Sequence, residues 1–76
     1  MLEQRIRQIM ADIFGLAPAA IGDDASRETL EQWDSMGHMN LCLALEEEFR
    51  IALDGERVAH MATFQDVLGA VAAAQA

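Results

Sequence analysis

Trp33-Asp34-Ser35-Met36-Gly37-His38-Met39-Asn40-Leu41-Cys42-Leu43-Ala44-Leu45-Glu46-Glu47-Glu48-Phe49 is the stretch whose periodicity decides how this chain folds. From Met36 onward it carries two apolar stripes at helical spacing. Leu41, Cys42, Leu45 and Phe49 follow i, i+1, i+4 and i+8 and make a core face. Met36, Met39 and Leu43 follow i, i+3 and i+7 and point elsewhere, beside Glu46 and Glu47. A bundle helix needs one buried stripe, so the second is either additional core or an exposed apolar strip that serves contacts. Asp34 and Ser35 belong to the residue types that lead the N-cap preferences, and the helix is expected to start at Ser35 or Met36.

Upstream, Leu2, Ile6, Ile9, Met10, Ile13 and Phe14 share one helical face while Glu3, Arg5, Arg7, Gln8 and Asp12 take the other. Gly15 supplies a left-handed stop, and Pro18 discourages an immediate restart, so this first helix ends near Phe14. Between Gly15 and Asp34 there is no sustained period. So long a loop is unusual in a small domain and must be pinned. Leu16, Ile21, Leu30 and Trp33 are spaced to tuck into a bundle at intervals, and Ser26 to Gln32 is read as a short helical turn within a packed crossover.

Downstream, Asp54 is an N-cap for a helix of one or two turns reaching His60, anchored by Leu53, Val58 and Met61. Thr63 and Asp66 stand at N-cap and N3, a capping box with Asp in place of Glu. They precede Phe64, Val67, Leu68, Val71 and Ala72, in a last helix expected to fray in the terminal alanines. The reading is therefore all-α: a four-helix bundle of three main helices and one short one, with a long loop between the first and second. At 76 residues it forms one domain, 1–76, with no room for a separate catalytic lobe. Apolar residues make up 53% of the chain but aromatics only 5%, and Ala, Leu, Ile and Met outweigh Val, Tyr and Thr, which favours helix over sheet.

Thirteen acids against five arginines and no lysine give a formal net charge of −8, which repels nucleic acid and anionic membrane surfaces. Basic partners fit. No apolar run approaches the roughly 20 residues of a membrane span, so no membrane insertion is expected. The lone Cys42 closes no internal disulfide, and no leader-like segment opens the chain, which together point to a soluble protein of the cytoplasm. Cys42 itself reads as a small buried hydrophobe. His60 is too isolated to suggest a zinc site, which needs three or four ligands.

With the second helix beginning at Ser35 or Met36, its first-turn amides carry the positive end of the helix dipole. An anion on Ser35 would be stabilised there by about 0.3 to 1 kcal/mol. Ser35 thus suits a phosphoester, and Asp34 places a carboxylate beside the hydroxyl, where it would help an external enzyme hold a metal. The plainer reading makes Asp34 or Ser35 only a cap. His38, one turn on, would complete a Ser-His nucleophilic pair only with an orienting acid and an oxyanion pocket, and nothing marks either.

The pattern as a whole favours the attachment reading over the plain cap. Trp33-Asp34-Ser35-Met36, Leu41, Leu45-Glu46-Glu47-Glu48-Phe49, Leu53, Met61-Ala62-Thr63-Phe64 and Val67 resemble the acyl carrier proteins of fatty acid and polyketide synthesis, with the segments in matching order over essentially the whole chain. The resemblance implies that Ser35 carries 4'-phosphopantetheine, supplied from coenzyme A by a phosphopantetheinyl transferase that recognises Asp34, Met36 and the neighbouring helix face. It implies an arm whose thiol holds acyl groups as thioesters, and a carrier that performs no chemistry itself. Met36, Met39 and Leu43 beside Glu46 and Glu47 would dock basic, partly apolar patches of acyl-loading, elongating or acyl-transferring enzymes, with methionine adapting to several surfaces. A monomer is expected, and attraction from the net charge would speed encounter more than it tightens the complex.

The chain departs from the common pattern of fatty acid carriers. Positions two and five after Ser35, often acidic in them, hold Gly37 and Asn40, and Arg57 interrupts the acidity of the short third helix. These differences suggest a specialised carrier. Gly37 costs up to about 1 kcal/mol relative to alanine, and is explained either by close approach of the arm or a partner, or as a tolerated glycine near a helix end. His38 would line the arm's exit or tune partner contact, and Ala44 and Ala52 are small enough to leave room for a sequestered chain. Two other readings stand beside this one: a peptidyl or aminoacyl carrier, and an unmodified acidic helical adaptor that binds a basic partner through Met36, Met39 and Leu43.

Overall fold

The computed structural model describes residues 1–75. Local chemistry marks most of the helix ends. Helix α1 (Leu2–Phe14) stops at Gly15, whose φ of 70° is the left-handed cap that a residue without a side chain adopts freely. Helix α2 (Ser35–Phe49) starts behind Asp34 and ends at Arg50, which adopts the left-handed cap without being glycine. Helix α3 (Gly55–His60) is capped by the Asp54 carboxylate accepting from the Arg57 amide at 2.7 Å. Ahead of α4 (Phe64–Gln75), Thr63 Oγ1 accepts from the Asp66 amide at 3.0 Å while Asp66 Oδ2 accepts from the Thr63 amide at 3.2 Å, the reciprocal bonds of a capping box. The expected fraying of α4 does not occur within the described residues, since the helix continues through its alanines to Gln75; Ala76 lies outside them.

The core is the expected one with small residues added. Ile6, Met10 and Phe14 from α1 meet Leu41, Cys42 and Leu45 from α2 and Phe64, Val67 and Val71 from α4. Ala11, Ala25 and Ala70 fill the close approaches between them. Leu2, Ile9, Ile13 and Phe49 pack half-buried around this centre.

The crossover between α1 and α2 differs in detail from its sequence reading. Pro18 does not simply block helix: it opens a 3-10 turn, Pro18–Ala20, where its fixed φ and missing amide suit the first position. Ser26 to Gln32 forms the expected short helical turn, with Leu30 N–H donating to Ser26 carbonyl at 2.9 Å, and does not extend into a helix. Ile21 and Trp33 are buried as expected, and Leu16 and Leu30 are half-buried.

Long-range bonds do the pinning. The Arg27 amide donates to Ala62 carbonyl and the Phe64 amide to Ala25 carbonyl, both at 2.9 Å, an antiparallel bridge that ties the loop to the α3–α4 connection. Arg7 reaches across from α1 to donate to Ile21 carbonyl at 2.8 Å, pairs with Asp23, and stacks over the Phe64 ring at 4.7 Å. Its side chain is only 17% exposed, so the bond to Ile21 carbonyl and the contact with Phe64 are partly shielded from water, whereas Asp23, 79% exposed, adds no more than an ordinary surface pair. Arg7→Met is expected to destabilise the fold by about 2 kcal/mol with loosening of the crossover, measured by urea unfolding; an unchanged midpoint would show that the loop is held without Arg7.

Candidate functional site

At the mouth of α2 the cap is Asp34, not Ser35. Asp34 has extended backbone, its Oδ1 accepts from the Gly37 amide at 2.8 Å, and its carbonyl accepts the His38 amide, also at 2.8 Å. Ser35 is then the first helical residue and is exposed. Ser35 is therefore not needed for capping and lies exposed at the positive end of the helix dipole, an arrangement that fits an appended phosphoester.

Trp33, immediately before the cap, is 1% exposed and packs against Phe14 with ring centroids 5.7 Å apart. Its indole N–H donates to His38 Nδ1 at 2.9 Å. The other face of the imidazole is also occupied: Nε2 lies 2.7 Å from Val58 carbonyl and 3.9 Å from Cys42 Sγ. His38 is 5% exposed. It therefore neither lines an arm's exit nor touches partners, as its place one turn from Ser35 had suggested. Both its ring nitrogens are engaged by Trp33 and Val58 rather than by Ser35.

Gly37 has a cause inside the chain. A Cβ at this position would lie 2.4 Å from Gln32 carbonyl oxygen, 3.3 Å from Asp34 Oδ1 and 3.3 Å from Phe14 Cε1. The loop backbone closes directly onto the first turn of α2, so neither an approaching arm nor a tolerated helix-end glycine explains the residue.

The second apolar stripe resolves as surface. Met36, Met39 and Leu43 are 74%, 56% and 59% exposed. Glu47 beside them is exposed, whereas Glu46 is half-buried and its Oε2 accepts from the Leu53 amide at 2.9 Å, which fixes the turn into α3. Ala44 is half-buried and Ala52 exposed. A groove of about 480 Å³ opens instead between α3 and α4, lined by Asp54, Arg57, His60, Asp66, Gly69 and Ala73 among others, and includes neither Ser35 nor the apolar strip. Among the described residues no group of three or more His, Cys, Asp or Glu is placed to hold a metal ion, and no helix is long and apolar enough to cross a membrane.

An acidic four-helix bundle with an exposed serine at the start of its second helix is the architecture of a carrier domain. The chain matches the family model described as phosphopantetheine attachment site over residues 4–71, and it belongs to that family. Its cofactor is 4'-phosphopantetheine. Carrier domains of this kind are non-catalytic, are modified by a phosphopantetheinyl transferase and interact with enzymes.

Three outcomes follow from the local geometry. Gly37→Ala is expected to destabilise the fold by about 1 to 3 kcal/mol in chemical unfolding, because backbone must shift to admit the methyl. Gly69→Ala, at a mid-helix site with open space around it, should instead stabilise by about 0.5 to 1 kcal/mol. Equal effects would refute the close approach. Burial, seconded by Glu46 and opposed by Arg27, pushes the Cys42 thiol above its ordinary value. Alkylation at pH 8 should accordingly be far slower in the native protein than in urea, and equal rates would contradict the buried thiol.

Proposed function

We propose that residues 1–76 form an acyl carrier domain whose 4'-phosphopantetheine is esterified to Ser35, and that it presents acyl intermediates to the enzymes of fatty acid, polyketide or related specialised lipid synthesis. The observation that carries this reading is the division of labour at the α2 mouth. Asp34 satisfies the helix end, and the adjacent Ser35 stays exposed. When bound, the group supplies a thiol on a mobile arm. The chain contributes an inert bundle, a rigid base for the arm set by the burial of Trp33, and an anion-favouring helix terminus.

Met36, Met39 and Leu43 form the apolar centre of the proposed docking face. Glu47 is its exposed carboxylate, and Asp34 lies at the edge where a transferase would engage Ser35. Glu46 adds charge there, although one of its oxygens is committed to the Leu53 amide. Unpaired apolar side chains ringed by acid favour transient contact with basic, partly apolar partner patches. The expected state is a cytoplasmic monomer, in keeping with a free and buried Cys42.

The test is intact mass after incubation with coenzyme A and a phosphopantetheinyl transferase of broad specificity. Wild type should gain one phosphopantetheine, and Ser35→Ala none, with native circular dichroism retained. An unmodified wild type, together with Ser35-independent binding of a basic partner by the apo protein, would replace the carrier reading with a helical adaptor.

A further inference from the structure

His38 makes two bonds that a single protonation state permits. Indole nitrogen only donates, so the His38 Nδ1 that lies 2.9 Å from Trp33 Nε1 must be bare, and the proton of the neutral ring then stands on Nε2, donating to Val58 carbonyl at 2.7 Å. The imidazole thus spans three segments: the loop end at Trp33, α2 itself, and α3.

Helix α3 has few other holds. It contains no buried residue; Val58 is half-buried, and Met61, the nearest buried side chain, lies at its C-cap. Val58 carbonyl sits in the closing half of a six-residue helix, where carbonyls lack α-helical partners. Its alternative donor, the Met61 amide, is at 3.4 Å, so the imidazole supplies the shorter bond. Among the described residues, the other side-chain hydrogen bond from α3 to another helix is that of Arg57, whose guanidinium donates to Ala70 carbonyl at 3.3 Å, and Val58 adds partly buried packing against the core. An element held by so little apolar burial is drawn from the low-stability end of a fold.

We propose that His38 is a positioning residue that latches α3 to the bundle: its Nε2–H grips α3 while its Nδ1 anchors Trp33, so that breaking one bond frees α3 without unseating the loop in front of Ser35. The latch lies one helical turn from Ser35.

Three substitutions separate the two bonds. Asn at position 38 puts Oδ1 where Nδ1 stands and falls short of Val58; Gln puts an amide nitrogen near Nε2 and loses the acceptor for Trp33; Leu fills volume and makes neither bond. In the apo protein, backbone amides of residues 55–60, referenced to those of α1, are expected to exchange about five- to tenfold faster in His38→Asn and His38→Leu than in wild type or His38→Gln, the loss of one hydrogen bond. The Trp33 indole N–H resonance should move in His38→Gln and His38→Leu and stay near its native position in His38→Asn.

Equal α3 exchange in all four proteins would overturn the latch and leave His38 as filler. Should the variants fail to fold, nitrogen-15 correlation of the wild-type imidazole decides the matter. A proton resident on Nε2 with Nδ1 bare supports the latch, and a proton on Nδ1, or averaging between tautomers, overturns it. None of these readouts involves Ser35, so they succeed or fail separately from the carrier reading.

Discussion

The seat of Trp33 between Phe14 and His38 fastens the long crossover at the point where it turns into α2. Loss of a buried aromatic of this size costs about 3 to 5 kcal/mol, a large part of what a domain of this length can spare. The ring fixes the backbone one residue before the Asp34 cap, and Gly37 lets Gln32 carbonyl close against the first helical turn. Ser35 therefore leaves the bundle from a stiff base. If the loop end were free, the same serine would be one exposed hydroxyl among several, with no defined direction relative to the helix face.

Charge is divided as sharply as polarity. Arg5 pairs with Glu48 and stacks over Phe49, Arg7 holds the crossover against Phe64, and Arg57 reaches Ala70 carbonyl. Three of the five arginines in the chain thus serve internal contacts. Most carboxylates remain outward, which sets a net −8 surface around an exposed strip of Met36, Met39 and Leu43. Such a surface attracts positive charge at long range and leaves a small apolar strip uncovered, as the proposed docking of basic enzyme patches would require.

What the sequence reveals is what local rules govern. The Gly15 stop, the Asp54 cap and the Thr63–Asp66 box each act within a few residues, and the helices begin and end where those rules place them. The two stripes of α2 were legible as stripes, but their assignment to core or surface needed the neighbours that cover only one of them. The crossover was least legible, because its hold comes from Arg7, Ala62 and Phe64, residues far along the chain. His38 and Gly37 escaped for the same reason. The imidazole is buried because Trp33 and Val58 both meet it, and the glycine is required by a carbonyl five residues earlier that no periodicity reveals. Within the candidate site, Ser35 stands out as a residue and a helix position, whereas the choice between Asp34 and Ser35 as the cap, open from the sequence, is decided by the bond from the Gly37 amide to the Asp34 carboxylate.

The central claim is that this exposed oxygen is the tether of the carrier arm in the living cell. Peptide-level mass spectrometry of the protein isolated from its own cells, with fragmentation that localises the added group, addresses it directly. Phosphopantetheine, bare or acylated, is expected on the fragment that contains Ser35. A group localised to any other residue, or a Ser35 that is uniformly unmodified in growing cells, would contradict it.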